Sequence, residues 1–242
     1  MLSRFYCETA IEGSTARLDG SEAHHLLHVL RGQVGDEVLL FDGHGAEFTA
    51  RIENCARSEV MLQVLARHDV DRELSIILTL GVSLPKGERQ RWMVEKCVEL
   101  GVHSLVPLVT KRSVAQPTGK ALDRLRRAVI EASKQCGRNR LMAISEPQHW
   151  HSWCRTSCTA DAYVAHPYPC ENTPTVTLDE LHLRYARSSA MISMAVGPEG
   201  GLTDDEIEQV TAGEGQLLSL GPRILRVETA AIVIAAWGSS IG

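Results

Sequence analysis

The chain has 242 residues, of which 44% are hydrophobic and 23% charged, and its formal net charge is −5 at pH 7. These values are typical of a globular protein with a substantial core, and they argue against a chain that coats nucleic acid without specificity. The longest apolar runs are too short to span a bilayer, the N-terminus has no hydrophobic signal region, and seven cysteines without regular spacing favour reduced thiols, so we expect a cytoplasmic protein without membrane association.

The charges are distributed unevenly along the chain. Residues 1–70 contain 6 basic and 11 acidic side chains, whereas residues 85–140 contain 13 basic and 5 acidic ones. A single concentrated basic tract in an acidic chain predicts a surface for a polyanion such as RNA. The alternative is a set of ordinary solvent-exposed helix faces.

Residues 1–70 predict a small β-rich domain. The segment 34–41, which ends in the apolar run Val38–Phe41, leads into Asp42-Gly43-His44-Gly45, which is a hairpin turn signal, and residues 47–52 alternate between polar and apolar as a returning strand does. A further strand is predicted at 60–65. This spacing of strands and turns is typical of a small barrel or sandwich.

A short helix is predicted inside this domain at residues 21–31, with Ser21 as its N-cap and Gly32 as its stop signal. It contains three histidines, two of which, His24 and His28, have the i, i+4 spacing of metal ligands. Because no acidic or cysteine cluster completes a ligand set, we interpret the helix mainly as a packing element.

The charged segment 68–73 predicts a domain boundary, since strands alternate with helices from about residue 75 onward. We therefore expect an α/β domain with a parallel sheet at 73–242, beginning with a strand at 76–82 and continuing with a strand at 105–109.

The helix from about Leu122 has two distinct faces. Its core stripe, in steps of three and four residues, comprises Leu122, Leu125, Val129, Ala132 and Cys136. The opposite face, predicted to be exposed, comprises Arg124, Arg127, Glu131, Lys134 and Arg138. Arg140 continues the basic run beyond the helix, and such side chains suit an RNA phosphate backbone.

The segment 149–158 is rich in His, Trp and Cys. Cys154 and Cys158 have a spacing seen in zinc sites, but no comparable second pair of ligands follows. We interpret the segment as an amphipathic helix in which Trp150 and Trp153 are packing anchors.

Two turns near the C-terminus organise the rest of the chain. The buried strand 191–196 leads into Gly197-Pro198-Glu199-Gly200-Gly201, and Thr203 with Glu206 predicts a capping box at the start of a helix. The strand 217–220 leads through a second Gly-Pro turn into a small-residue helix from about Glu228. Turns of this kind expose backbone N–H groups and favour a pocket for a small polar cofactor.

Several motifs of other enzyme classes are missing from the sequence. It contains no G-x-x-x-x-G-K-[ST], no G-x-G-x-x-G after a strand, no G-x-S-x-G and no H-E-x-x-H. A P-loop nucleotidase, a Rossmann dinucleotide enzyme, an α/β-hydrolase and a zinc protease are therefore disfavoured.

The paired turns Val196–Thr203 and Leu220–Ala230 resemble the signature of the SPOUT methyltransferases, and within them the ribosomal RNA uridine-N3 methyltransferase family (RsmE). The helix around His24, the Val34-Gly35-Asp36-Glu37-Val38 segment and the block Glu131–Arg140 also resemble this family. The family usually has a proline soon after that block, where this chain has Leu141-Met142-Ala143.

The resemblance implies a PUA-like β-barrel RNA-binding domain at 1–70, followed by a SPOUT α/β domain with a trefoil knot at 73–242. It also implies a homodimer and the cofactor S-adenosyl-L-methionine. The cofactor-binding residues implied are Gly197, Pro198, Glu199, Gly200, Gly201, Leu220, Gly221, Ile224, Leu225, Thr229 and Ala230.

The implied reaction is methylation of N3 of a uridine in 16S (small-subunit) ribosomal RNA, either free or in the assembled subunit. Uracil N3 carries a proton that must leave, so Arg226, or less readily Arg223, would stabilise the developing anion, and Glu228 or Glu199 would accept the proton. Either glutamate has the competing role of bracing the turns. The RNA contacts expected are Arg4, Arg31, Lys86, Arg89, Arg124, Arg127, Lys134, Arg138 and Arg140.

Two alternatives remain open at this stage. The first is a SPOUT methyltransferase that acts on another RNA position or on a ribose 2′-hydroxyl. The second is a non-catalytic RNA-binding factor for ribosome assembly, which would bind RNA through the basic face without affinity for the cofactor.

Overall fold

The structure is a computed structural model that describes residues 2–115, 119–168, 175–186 and 188–241. The chain divides into two compact units. The first comprises Met1–Glu73 and Ile130–Leu141, and the second comprises Leu74–Val129 and Met142–Gly242. The first unit thus ends close to the predicted boundary, but no local pattern in the sequence predicts that residues 130–141 belong with it.

The first unit is built on a five-stranded mixed sheet in the order β1-β3-β4-β5-β2, which forms a half-barrel. Among the described residues, β1 and β3 are the only strands of this sheet that pair in parallel, and the other pairs are antiparallel. Its strands are β1 Arg4–Tyr6, β2 Thr15–Asp19, β3 Glu37–Phe41, β4 Glu47–Cys55 and β5 Glu59–His68. The hairpin predicted at Asp42-Gly43 is confirmed, because β3 and β4 pair antiparallel across it and Gly43 has φ +85°.

The helix of this unit differs from the sequence prediction. The helix α1 spans Gly20–His24 and continues as one turn of π-helix over His25–Val29. Its N-cap is Asp19 rather than Ser21, because β2 ends at Asp19 and the helix follows without a linker. Ala23 and Leu26 are buried in the core of the unit, which confirms the packing role of this helix.

The second unit is an α/β structure with an eight-stranded parallel sheet. Its strands follow the order β11-β13-β10-β12-β6-β7-β8, and β9 pairs with β7. The strands are β6 Ile77–Val82, β7 Ser104–Val109, β8 Ala143–Ile144, β9 Gln148–His149, β10 Ala162–Ala165, β11 Thr175–Thr177, β12 Met191–Val196 and β13 Gln216–Ser219. The helices after α1 are α2 Arg89–Glu99, α3 Gly119–Cys136, α4 Trp150–Ser157, α5 Leu178–Tyr185, α6 Asp204–Ala212 and α7 Val227–Ser239.

The parallel sheet determines where functional loops gather. All its described strand pairs are parallel, so the carboxyl ends of β6, β7, β12 and β13 lie at one edge. In open α/β folds this is the edge where ligands bind. The two glycine turns predicted to form a site follow β12 and β13, and both therefore lie there. No helix in the described part of the chain is long and apolar enough to cross a membrane.

Candidate functional site

The first glycine turn links β12 to α6. Pro198 O accepts a hydrogen bond from the Gly201 N–H at 2.8 Å, and Gly201 has φ +71°, a conformation that disfavours any residue with a Cβ. The predicted capping box is confirmed, since Glu206 Oε2 accepts hydrogen bonds from the N–H and the hydroxyl of Thr203 at 2.9 and 3.1 Å. The turn is thus held firmly at its helical end.

A cation that the sequence reasoning missed covers this turn. Arg112 Nη1 donates to Gly200 O at 2.9 Å, and a Cβ added to Gly200 would lie 3.3 Å from Arg112 Cβ. Next to it, the Lys111 N–H donates to the buried Glu206 at 2.8 Å. The strand order would have predicted this contact, because Lys111 and Arg112 directly follow β7, whose carboxyl end lies at the same edge of the sheet as that of β12.

The second glycine turn, residues 220–226, links β13 to α7 and is open. Gly221 has φ +102°, and nothing lies within 4 Å of the position that its Cβ would take. Among the described residues, the backbone N–H groups from Arg223 to Arg226 donate to no protein acceptor. Ile224 is 71% exposed. This segment therefore offers uncovered donors beside a space that a side chain at residue 221 would enter.

The two turns are connected by a charged bridge. Arg89 begins α2, and its Nη2 lies 3.6 Å from Glu199 Oε1 in the first turn, while its Nη1 lies 3.3 Å from Glu228 Oε1 at the start of α7. The Glu228 side chain is only 7% exposed, and its Oε2 is buried without a hydrogen-bond partner among the described residues. Arg226, the N-cap of α7, is exposed. Of the two predicted catalytic residues, therefore, one is buried with an unsatisfied oxygen and the other faces solvent.

These features fit a nucleoside-containing cofactor such as S-adenosylmethionine. Its amino and hydroxyl groups donate hydrogen bonds to carboxylate oxygens such as those of Glu199, and its ring nitrogens accept from backbone N–H groups. Thr229 is exposed and Ala230 buried at the start of α7, so the helix presents small side chains next to the open turn. The donors, the acceptor and the space at Gly221 are all of the kind that the cofactor needs.

Three predicted RNA contacts lie in partly buried ion pairs of the first unit: Arg4, Lys134 and Arg138. Lys134 Nζ lies 2.7 Å from Glu22 Oε1, with the two side chains 10% and 12% exposed. Arg138 donates from Nε to Glu73 Oε1 at 2.9 Å and is itself 3% exposed. The expectation that one solvent face of α3 continues through Lys134 and Arg138 is therefore wrong, because these cations are turned towards carboxylates within their own unit.

Arg4 belongs to a second ion-pair network. Its Nη1 donates to Glu47 Oε2 at 2.9 Å, to which Arg72 Nη1 also donates at 3.0 Å, and its Nη2 hydrogen bonds to Asn139 Oδ1. Burial alone would raise the pKa of Glu47, but the hydrogen bonds from Arg72 and Arg4 outweigh it, so the net shift in the pKa is downward. This network joins the β-sheet of the first unit to residues 130–141.

Ion pairing explains much of the basic tract at 85–140. Within the described residues, seven of its thirteen cations contact carboxylates: Arg89, Arg91, Lys96, Lys111, Arg126, Lys134 and Arg138. The structure leaves five of the predicted RNA contacts exposed and without a carboxylate partner in the described part of the chain: Arg31, Lys86, Arg124, Arg127 and Arg140. Arg31 also has φ +58°, which is uncommon for a residue other than glycine.

The His/Trp/Cys segment is a packing helix, as predicted. Trp150 and Trp153 are 3% and 1% exposed, and their rings stack with centroids 5.3 Å apart. Trp150 Nε1–H donates to Glu206 O at 2.9 Å, which supports the capped start of α6. Among the described residues, no group of three or more His, Cys, Asp or Glu side chains is arranged to hold a metal ion.

Comparison with known proteins identifies the family. The model of an RNA methyltransferase domain matches residues 72–239, and that of an RNA methyltransferase PUA domain matches residues 18–64. A ribosomal RNA small subunit methyltransferase E from Synechocystis is 32% identical over 92% of this chain and 72% of the relative. The chain belongs to the ribosomal RNA small subunit methyltransferase E family. The membership predicted from the sequence is thereby confirmed.

Solved structures of similar proteins agree with this family. A methyltransferase from Legionella pneumophila in complex with S-adenosylmethionine is 28% identical, with a TM-score of 0.86 and coverage of 99% of this chain and 98% of that one. A family member from Neisseria gonorrhoeae bound to S-adenosylmethionine has a TM-score of 0.82 at 28% identity, with coverage of 98% and 96%. The predicted fold class, a PUA-like β domain followed by a parallel α/β domain, is confirmed.

Proposed function

We propose that the chain transfers the methyl group of S-adenosylmethionine to N3 of a uridine in the RNA of the small ribosomal subunit. The observation that carries the proposal is the pair of glycine turns at the carboxyl edge of the parallel sheet, joined through Arg89 and next to a buried, unsatisfied oxygen of Glu228. The proposed RNA substrate is the one named for the relatives, and the proposed cofactor is the one bound in the two similar structures.

The methyl donor supplies an electrophilic sulfonium methyl group when it is bound. The residues proposed to hold it are those of the two turns and the start of α7: Gly197, Pro198, Glu199, Gly200, Gly201, Leu220, Gly221, Ile224, Leu225, Thr229 and Ala230. Support comes from the open space at Gly221 and from the uncovered N–H groups that follow it. Gly197 has a different role, since a Cβ there would meet Leu202 Cγ at 2.9 Å, so this glycine permits close packing beneath the turn.

The target nitrogen must lose its proton before or during attack on the methyl group. Glu228 is proposed as the proton acceptor, because Oε2 is buried and makes no hydrogen bond that would have to break first. Arg226 is exposed at the N-terminal end of α7 and is proposed to stabilise the negative charge that develops on the flanking uracil oxygens. Proton removal and charge stabilisation would thus come from residues two positions apart in the chain.

The RNA phosphates are proposed to contact the five exposed cations: Arg31, Lys86, Arg124, Arg127 and Arg140. These side chains have no carboxylate partner in the described residues, so binding a phosphate breaks no existing ion pair. Arg4, Lys134 and Arg138 leave the proposed set, because each would have to give up its carboxylate partner in a partly buried ion pair.

Four further properties belong to the same proposal. They are the division into functional domains at 1–70 and 73–242, the trefoil knot, the homodimer and the cytoplasmic location. Family membership is the support for each of them. Small ribosomal subunits, or their RNA before assembly, are the proposed partner.

Calorimetric titration with S-adenosylmethionine and S-adenosylhomocysteine tests the proposal against a non-catalytic RNA-binding factor. We expect saturable binding of both ligands, and Gly221→Val as the matched variant should bind neither, because its side chain enters the open space and φ +102° strains it. Absence of binding to the wild-type protein, both alone and with small subunits present, would refute the enzyme assignment.

A further inference from the structure

The charged bridge between the turns assigns a role to Arg89 that the sequence did not suggest. This residue lies in the basic tract and was expected to contact RNA, yet its guanidinium lies between Glu199 and Glu228, which are far apart in the chain. Glu199 lies in the first turn of the proposed cofactor site, and Glu228 lies at the start of α7, which directly follows the second turn. Arg89 is therefore the side chain through which the two turns are connected electrostatically.

The geometry matches the shape of a guanidinium. Nη2 faces Glu199 at 3.6 Å and Nη1 faces Glu228 at 3.3 Å, so each terminal nitrogen serves one carboxylate. Two carboxylates close together repel each other, and a cation placed between them offsets that repulsion. A lysine ammonium is a single point charge and cannot direct two donors along fixed directions in the same way.

The bridge also determines which oxygen of Glu228 remains available. Arg89 contacts Oε1, whereas Oε2 is buried and has no partner among the described residues. A carboxylate that is free to rotate would exchange these two oxygens, and the contact with Arg89 opposes that rotation. The arrangement thus leaves one oxygen in a defined position for a donor group outside the protein chain.

We infer that Arg89 is a positioning residue of the methyl-transfer site: it joins the Glu199 turn to the start of α7 and orients the Glu228 carboxylate so that Oε2 receives the proton of the substrate. The inference rests on the proposed function, since it assigns Glu228 to that site. It differs from a direct role in RNA binding, in which Arg89 would contact phosphate and would leave the cofactor turns unaffected.

Three single variants test this role. They are Arg89→Ala, Arg89→Lys and the control Arg91→Ala, which removes a cation from the same helix that pairs with Glu95 at 2.8 Å. For Arg89→Ala we expect roughly fivefold to tenfold weaker binding of S-adenosylhomocysteine in the absence of RNA, the size typical of a lost, partly exposed charge pair. We also expect kcat to fall about 100-fold from misalignment, with little change in KM for RNA.

Two further readouts separate positioning from a merely structural effect. Arg89→Lys should have a kcat between that of Arg89→Ala and that of the wild type. In a double-mutant cycle, Glu199→Gln should weaken cofactor binding clearly less in the Arg89→Ala background than in the wild-type background. Arg91→Ala should match the wild type in every assay.

The inference is overturned if Arg89→Ala binds S-adenosylhomocysteine as the wild type does and instead shows a raised KM for RNA and a flatter salt dependence. That combination would make Arg89 an RNA contact. Additive effects of the Arg89 and Glu199 substitutions would also overturn it. Failure of the proposed function looks different: the wild-type protein itself would neither bind the cofactor nor transfer a methyl group.

Discussion

Replacing Arg138 with alanine is expected to destabilise the protein rather than to weaken its contact with RNA. The Arg138 side chain is 4% exposed and donates to both oxygens of Glu73, at 2.9 Å from Nε and at 2.5 Å from Nη2. Removing one partner of a fully buried pair costs about 3–5 kcal/mol, because the other charge is left without compensation. Since Glu73 is 22% exposed and is partly rehydrated, we predict a loss of about 2–3 kcal/mol.

For a chain of this size, that loss corresponds to a thermal midpoint lower by about 5–10 °C. Thermal and urea unfolding, followed by circular dichroism, measure it directly. Arg126→Ala is the control, because Arg126, on α3 ahead of Arg138, forms exposed ion pairs, and its loss should cost less than about 1 kcal/mol. An Arg138→Ala protein with wild-type stability and weaker RNA binding would refute the assignment of Arg138 to a structural ion pair.

Three other predictions concern acid stability, the cofactor turn and the RNA surface. Because the folded-state pKa of Glu47 is lowered, its contribution to stability is complete above the ordinary pKa of 4.5 and is lost as the pH falls through the folded-state pKa. Glu47→Gln should therefore be less stable than the wild type at pH 7 but should lose less stability on acidification. Urea titrations that show the same pH dependence for both proteins would contradict this. Gly200→Val should weaken cofactor binding, because its Cβ would lie 3.3 Å from Arg112 Cβ and the added side chain would displace Arg112 from the turn. Unchanged affinity by calorimetry would argue against a site at this turn. Alanine at Lys86, Arg124 and Arg127 together should flatten the salt dependence of RNA binding by about 2–3 units in the slope of log K against log salt, whereas an unaltered slope would locate the RNA elsewhere.

The local elements of the fold were largely predictable from the sequence. The strand at 191–196, the Thr203 capping box and the antiparallel hairpin at Asp42-Gly43 all depend on residues close together in the chain, and all are confirmed. Turn residues and capping residues act through their own backbone, so a short window of sequence contains the information that specifies them.

The pairing of charges was not predictable in this way. Lys134 pairs with Glu22, which lies 112 residues earlier in the chain. The helical periodicity of α3 indicates only that Lys134 does not lie on its apolar stripe. A polar helix face turned towards a carboxylate has the same pattern as one turned towards solvent. The same limitation hid the role of Arg89, whose two partners lie in turns that come together only through the order of the sheet strands.

The resemblance found in the sequence identified the family, and the structure changes the assignment of individual cations within it. Of the nine predicted RNA contacts, three lie in partly buried ion pairs and Arg89 lies between two carboxylates. The remaining five are exposed, and each remains a proposed RNA contact. Burial and pairing therefore separate cations that hold the protein together from cations that are available to a phosphate.

The most direct test of the proposed activity is nucleoside mass analysis of small-subunit RNA after incubation with the protein and S-adenosylmethionine. The RNA should come from cells that lack this modification, and it should be supplied both as free RNA and as assembled subunits. We predict one equivalent of 3-methyluridine from at least one of the two substrates, and a strongly reduced yield with Glu228→Gln. Methylation of a ribose 2′-hydroxyl or of another base atom, or no methylation of either substrate by a protein that binds the cofactor, would contradict the proposal.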